Sequence, residues 1–235
     1  IKINADAFEQ SSITNINFPA SLIDLGTSCF FQCGSLVSID LSNNIHISSI
    51  PDYFATLCSS LTSLKLPPNC DHIGAKAFSD TRSLSGNIEI PNKVEMIGNQ
   101  AFMNAGWTNE INLTFATNSI LHKLDWAAFS SMSCVGTIDL PPSLKKYENN
   151  CFNTNKATTV KINCPNGFQF GDTVFQEAAL TSLYLNVDQY FAYPNKFLDG
   201  AQIISNPTAK IYVPSRLLTA FQNGWTEFTN KFVGI

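Results

Sequence analysis

Charge is scarce in this sequence. Lys and Arg number 14 against 18 Asp and Glu, a formal net charge of −4 over 235 residues. No Lys/Arg cluster runs along the chain, so the electrostatic footprint of nucleic-acid binding is missing. The basic patch that holds a protein on an anionic membrane is missing too. No apolar run approaches the roughly 18 to 20 residues that span a bilayer, which predicts no membrane insertion. There is no secretory signal segment. The chain opens at Ile1 already inside a patterned segment and is expected to be a mature form or a piece of a longer chain.

Catalytic and metal-binding signatures are equally thin. The three histidines, His46, His72 and His122, are far apart, and no two stand at metal-ligand spacing. The seven cysteines, Cys29, Cys33, Cys58, Cys70, Cys134, Cys151 and Cys164, are odd in number and contain no Cys-x-x-Cys. They make neither a dense disulfide framework nor a zinc ribbon. No Walker loop, dinucleotide-binding glycine fingerprint, Gly-x-Ser-x-Gly elbow or His-Glu-x-x-His stretch occurs. The expectation is a protein that is not an enzyme and has no cofactor. One sequon, Asn112-Leu113-Thr114, is the match that chance supplies in a chain rich in Asn, Ser and Thr.

What is abundant is apolar residues, 44% of the chain, and phenylalanine, of which there are 18. That argues against disorder, because enough area exists to offset the entropy of ordering. A small or apolar residue followed by Phe recurs at Ala7-Phe8, Cys29-Phe30, Ala77-Phe78, Ala101-Phe102, Ala128-Phe129, Cys151-Phe152 and Val174-Phe175. Tyr53-Phe54 and Lys196-Phe197 keep step with a different first residue. Successive Phe markers are 22, 24, 24, 24, 27, 23, 23 and 22 residues apart. An apolar-x-apolar triplet follows each, beginning at Ile16, Ile39, Leu64, Ile88, Ile111, Ile138, Val160, Leu183 and Ile211. Such alternation reads as a short strand with one buried face. Pro follows the triplet at Pro19, Pro67, Pro91, Pro141 and Pro214 and stops strand pairing, since it has no N–H. A third marker is an apolar residue followed by Gly, as in Leu25-Gly26, Ile73-Gly74, Ile97-Gly98 and Phe170-Gly171. Glycine there suits a positive φ or a close backbone approach.

A unit of about 23 residues cannot bury its own apolar face, whereas stacked units share one continuous core. The pattern resembles the BspA-like leucine-rich repeat, carried by Ile73-Gly74-x-x-Ala77-Phe78, Leu84, Ile88-x-Ile90-Pro91, Val94 and Ile97-Gly98. The fold expected is α/β: a right-handed leucine-rich-repeat solenoid of about nine repeats over 1–214, with short parallel strands, one per repeat. Repeat two departs from the pattern at Ser42 and through 45–50, and repeat five carries extra residues at 115–119, read as a protruding loop. The asparagine usual in other leucine-rich repeats is not kept, so no Asn ladder is assumed. Over 215–235 the pattern changes, and a helical C-terminal cap is expected. Ser215 is its N-cap, Leu217, Leu218 and Phe221 follow at helical spacing, Gly224 is the stop, and Trp225, Phe228 and Phe232 share one face. A cap would shield the open edge of the array; the rival reading of these aromatics is a ligand groove.

Side chains alternate across a strand, so the residue between each apolar pair faces outward. These are Asn17, Asp40, Lys65, Glu89, Asn112, Asp139, Lys161, Tyr184 and Tyr212. They read either as a recognition stripe, with the two tyrosines favouring contact, or as an ordinary solvated face. Cys29 and Cys151 fill the small slot before Phe and read as buried, inert thiols. Cys33 and Cys58 lie three and four residues after Phe in adjacent repeats and are the pair to watch for a disulfide. The family resemblance implies a secreted or cell-surface recognition or adhesion protein of a host-associated microbe. Its partner would be a protein or glycan, host extracellular matrix included, bound by a monomer along the solenoid face. The alternatives are a spacer or scaffold region of a larger surface protein and, third, an enzyme.

Overall fold

Three residues of alternating burial are enough for one rung of a parallel sheet, and the coils are built on such rungs. The computed structural model describes residues 1–164, 167–193 and 196–235. The apolar triplets form strands Ser38–Asp40, Ser63–Lys65, Gly86–Ile90, Ile111–Phe115, Thr137–Leu140, Thr159–Ile162, Ser182–Leu185 and Lys210–Val213. Each points its two apolar side chains into one core. This first ladder departs from nine continuously paired strands. The segment from Ile16 to Phe18 is not a strand, and the other eight fall into three parallel sheets as two, two and four, the last joined by the C-terminal strand Phe232–Gly234. The breaks lie between Lys65 and Gly86 and between Phe115 and Thr137, the second crossed only by the bridge Ile111 to Cys134.

A second parallel ladder runs along another side of each coil, beyond the one strand per repeat expected. It consists of two-residue strands, several of them at the apolar-Gly marker. Ser49–Ile50, His72–Ile73, Met96–Ile97, Lys123–Leu124, Lys146–Tyr147 and Gln169–Phe170 form one unbroken six-stranded sheet. Lys2–Ile3 pairs with Asp24–Leu25 in the same manner. The glycine after the apolar residue does not adopt a positive φ. It is needed for close approach: a Cβ on Gly74 would lie 2.5 Å from the Asp52 backbone N, and one on Gly98 2.8 Å from that of Ala75.

The third side is the Phe turn. Positive φ falls there on ordinary residues, two per turn and four apart: Ser28 and Gln32, Lys76 and Asp80, Gln100 and Asn104, Ala127 and Ser131, Asn150 and Thr154. This conformation costs an L-residue roughly 1 to 2 kcal/mol. It is held because it aims main-chain N–H groups along the solenoid axis. Ser28, Phe30 and Gln32 donate to the carbonyls of Asp52, Phe54 and Thr56 in the next coil, and Phe78 donates to Ala101. Phe30, Phe78, Phe102, Phe129, Phe152 and Phe175 are buried. Burying such a side chain contributes about 1.5 to 3 kcal/mol.

The chain after Pro214 turns through a 3-10 turn Ser215–Leu217, a short helix Leu218–Gly224 and a second 3-10 turn Thr226–Lys231. It ends in strand Phe232–Gly234, which pairs with Lys210–Val213. Ser215 is not the N-cap: no side-chain hydroxyl caps either helical start, and the Ser215 N–H is given to the Ile235 carbonyl. The helix does end at Gly224, but with no positive φ. That glycine faces the Tyr190 hydroxyl, which a Cβ would strike. Phe221, Trp225, Phe228 and Phe232 are all buried, with the Trp225 indole N–H donated to the Phe191 carbonyl at 3.1 Å.

Candidate functional site

The outward positions of the first ladder are brought together by strand register in two groups. Asp40 lies beside Lys65, and their ion pair closes to 2.8 Å. The Lys65 ammonium, with Ser42, holds the Asp40 carboxyl down at about 2. Farther along, Asp139, Lys161, Tyr184 and Tyr212 stand side by side in one row that ends at Val233. Asp139 and Lys161 pair at 3.3 Å. The tyrosine rings stack with centroids 4.3 Å apart and planes at 11°. Asp40, Lys65, Glu89 and Asp139 are exposed, while Lys161, Tyr184 and Tyr212 are half-buried. Asn17 is exposed but belongs to no strand.

Asn112 is not in the row. It pairs with Asn87 and donates to that side chain at 3.0 Å, while the neighbour of Glu89 is Thr114. Repeat five offers two overlapping triplets, Ile111-x-Leu113 and Leu113-x-Phe115, and the structure uses the second against Ile88-x-Ile90. Thr114, missed in the sequence reading, is the outward residue there.

The two breaks in the ladder coincide with two grooves on this face. One, of about 520 Å³, is lined by Ser42, Lys65, Asn87, Glu89, Asn92 and Thr117, among others. The second, of about 350 Å³, lies between loop 115–119 and Asp139, Pro141, Pro142 and Asn163. The loop therefore borders both grooves, with Ala116 and Thr117 lining each. Beyond it an amide chain continues the polar row: Asn163 donates to Leu140 O at 2.8 Å, and Asn186 donates to Asn163 Oδ1 at 2.6 Å.

Elsewhere the reactive groups are put away. All seven cysteines are buried, and Cys29, Cys33, Cys58, Cys70, Cys134 and Cys151 are free. Cys33 and Cys58 occupy the same place in adjacent coils but do not join. Each gives its thiol to a carbonyl, Cys33 to Phe8 at 2.8 Å and Cys58 to Phe30 at 3.1 Å. Burial pushes Cys29, Cys58 and Cys134 up to about 12 and Cys70 to about 11. A thiol so raised is a poor nucleophile, because the thiolate is the reactive form. His72 and His122, although two coils apart, line one hollow with Asp71, Glu95 and Met96. No cluster of His, Cys, Asp or Glu among the described residues is arranged to hold a metal ion. No described helix is long and apolar enough to cross a membrane.

The model of the BspA type leucine rich repeat region matches six copies in this chain, over residues 1–108 and 85–199. No curated protein matches it. Among solved structures, a leucine-rich repeat protein of Bacteroides ovatus is 18% identical, over 91% of this chain, with a TM-score of 0.44. This chain spans 66% of that protein's length. A leucine rich cell surface protein of Faecalibacterium prausnitzii is 15% identical over the whole chain and 83% of its own, with a TM-score of 0.48. The pneumococcal vaccine antigen PcpA is 17% identical over 99% of this chain and 69% of its own, with a TM-score of 0.43.

Proposed function

Because the chain belongs to the BspA-type leucine-rich repeat family, we propose that it is a non-catalytic recognition protein, extracellular or at a cell surface, that binds a macromolecular partner along the first-ladder face. The observation that carries this reading is the coincidence of the two grooves with the two ladder breaks, on either side of loop 115–119. A partner laid along this face meets Lys65 and Glu89, then the loop, then Asp139 and Asn163, and finally the Tyr184–Tyr212 pair. Tyrosine is enriched at contact surfaces because one end is apolar and the other polar. Extended faces of this kind are what solenoids present. Binding is by many shallow contacts and no chemistry, and the protein acts as a monomer.

One observation favours a second reading, a spacer region without its own ligand. Four of the outward charges, Asp40 with Lys65 and Asp139 with Lys161, are already paired with one another. In either reading 215–235 serves as a cap. Support for that comes from its buried aromatics and from strand Phe232–Gly234, which covers the edge of Lys210–Val213.

The test is a surface-plasmon screen of the purified chain against immobilised extracellular-matrix proteins and glycans. A ligand whose binding is weakened by Tyr184→Ala with Tyr212→Ala supports recognition by this face. Absence of any saturable binding across the screen leaves the spacer reading standing.

A further inference from the structure

Trp107 stands 53% exposed at the corner where its coil leaves the Phe turn for strand Ile111–Phe115. It forms one wall of a separate cleft of about 190 Å³, whose other walls are Ser131, Ser133, Thr154 and Lys156. The fold uses only the Trp107 main chain, whose carbonyl accepts from Ser133 Oγ at 3.3 Å. The indole ring is left to solvent, where its apolar face and polar N–H are both open to a ligand. Among the described residues the Trp107 indole N–H, the Ser131 hydroxyl and the Lys156 ammonium have no partner. The walls are nonetheless fixed: Ser131 N donates to Asn153 O and Thr154 N to Gln176 O, each at 2.7 Å.

We propose that this cleft binds a saccharide bearing a carboxylate. Its volume is below the ~300 Å³ at which pockets for drug-sized ligands begin, which suits a single ring. The indole face accepts the apolar C–H face of a sugar. The Ser131 hydroxyl can both donate to and accept from a sugar hydroxyl, while Ser133 and Thr154, whose hydrogens go to Trp107 O and Asn153 Oδ1, offer acceptors. Lys156 is in no ion pair among the described residues and supplies the charge-assisted hydrogen bond that a carboxylate takes. A uronic acid and a sialic acid both carry this chemistry. The site does not depend on the first-ladder reading, because none of its residues lies in that row.

The test is a titration of the isotopically labelled full chain, followed by NMR through its three indole N–H signals. The probes are a hyaluronan hexasaccharide, sialyllactose and, as uncharged control, lactose. The expected result is a saturable shift of the Trp107 signal with at least one acidic saccharide, binding at least tenfold tighter than lactose. The hyaluronan and sialyllactose arms separate the two acids. Trp107→Ala abolishes the binding, and Lys156→Gln lowers the affinity for the acidic probe to that for lactose. No saturable shift with either acid, lactose binding as tightly, or undiminished binding in Lys156→Gln would overturn the proposal.

Discussion

Phe54 meets Phe78 edge to face, with ring centroids 5.8 Å apart and planes at 81°, although both belong to one column of buried aromatics. Its contact with Phe30 is the same, at 5.4 Å and 86°. Between Phe8 and Phe30 and from Phe78 through Phe175 the rings are stacked, with planes from 1° for Phe8 and Phe30 to 20° for Phe78 and Phe102. The cause is a slip of one residue. Positive φ at Tyr53 and Leu57 places Ala55 where other coils have Phe, and Phe54 where they have Ala or Cys. Phe197 is slipped in the same way by Lys196 and Gly200, and it too meets Phe175 edge-on, at 79°. Both geometries are favourable for aromatic pairs, so the column tolerates the slip.

Phe78→Ala and Phe102→Ala are each expected to cost about 3 to 5 kcal/mol, the range for emptying a buried aromatic site. Phe54→Ala belongs with them. The exchange Phe54→Ala with Ala55→Phe moves the ring back into the common slot and is expected to recover all but about 1.5 kcal/mol, since volume is conserved. Urea unfolding of the four variants checks this; an exchange no more stable than Phe54→Ala would show that the slip is fixed by more than ring volume.

Gly74→Ala should lose about 1 to 3 kcal/mol, the usual penalty for overpacking, because its Cβ meets Asp52 and Pro51 main chain. Thr154→Gly should act in the opposite sense. Thr154 is exposed and β-branched with φ at 54°, where glycine carries no steric cost, and a gain of about 1 kcal/mol is expected. Thermal melts of the two variants should move to opposite sides of the parent.

The buried thiols make stability fall at high pH. In the unfolded chain they ionise near 9, whereas in the folded chain Cys29, Cys58 and Cys134 hold their protons to about 12. Between those values the native state binds more protons, so stability declines as pH rises, by about 1.4 kcal/mol per unit for each such thiol. Below 9 the contribution is fully present. Melting curves from pH 7 to 11 should be flat and then drop. Iodoacetamide at pH 8 should leave the native thiols unmodified and label all seven in urea; rapid native labelling would contradict their burial.

On the first-ladder face, charge reversal at Lys65 together with Lys161 is expected to weaken any ligand found there. Exposed positions of this kind change stability by only about ±0.5 kcal/mol. If these variants bind normally while changes in loop 115–119 do not, the loop alone makes the contact.

Deleting 215–235 should give an aggregating or poorly cooperative chain. It removes strand Phe232–Gly234 from the Lys210–Val213 edge and uncovers Phe191, Tyr193 and Phe197, which pack on Trp225. Light scattering and a melting curve decide it: a soluble monomer with an unchanged melt would mean that the segment is an appended module.

The period, the Phe column and the buried triplets were legible because each is a residue type recurring at a fixed interval. The slip at Phe54 was hidden by counting from Phe to Phe, which gives 24 on both sides. The order Tyr53-Phe54-Ala55, reversed relative to Lys76-Ala77-Phe78, was the signal. Asn112 was misplaced because repeat five carries two overlapping triplets, and only hydrogen-bonded register chooses between them. Two-residue strands are too short to show alternation, so the second ladder left no trace beyond its glycines. Positive φ on Ser, Gln, Lys and Thr has no compositional signature, since contacts with the next coil impose it. The Trp107 cleft sets one tryptophan against Ser131 and Thr154, which hold equivalent places in their coils, but these are polar and of mixed type and so carry no visible period.

From Ser49 to Phe170 the second ladder is continuous, whereas the first is broken twice, which should make the rod stiffer along one side than along another. Pulled lengthwise, it has a continuously hydrogen-bonded spine on one side and a face seamed in two places on another. Parting those seams ruptures few main-chain hydrogen bonds, so the face should gape there first, and amide exchange should be fastest at Lys65 and at 115–119. Tension on the rod is therefore expected to widen its grooves before any coil unwinds.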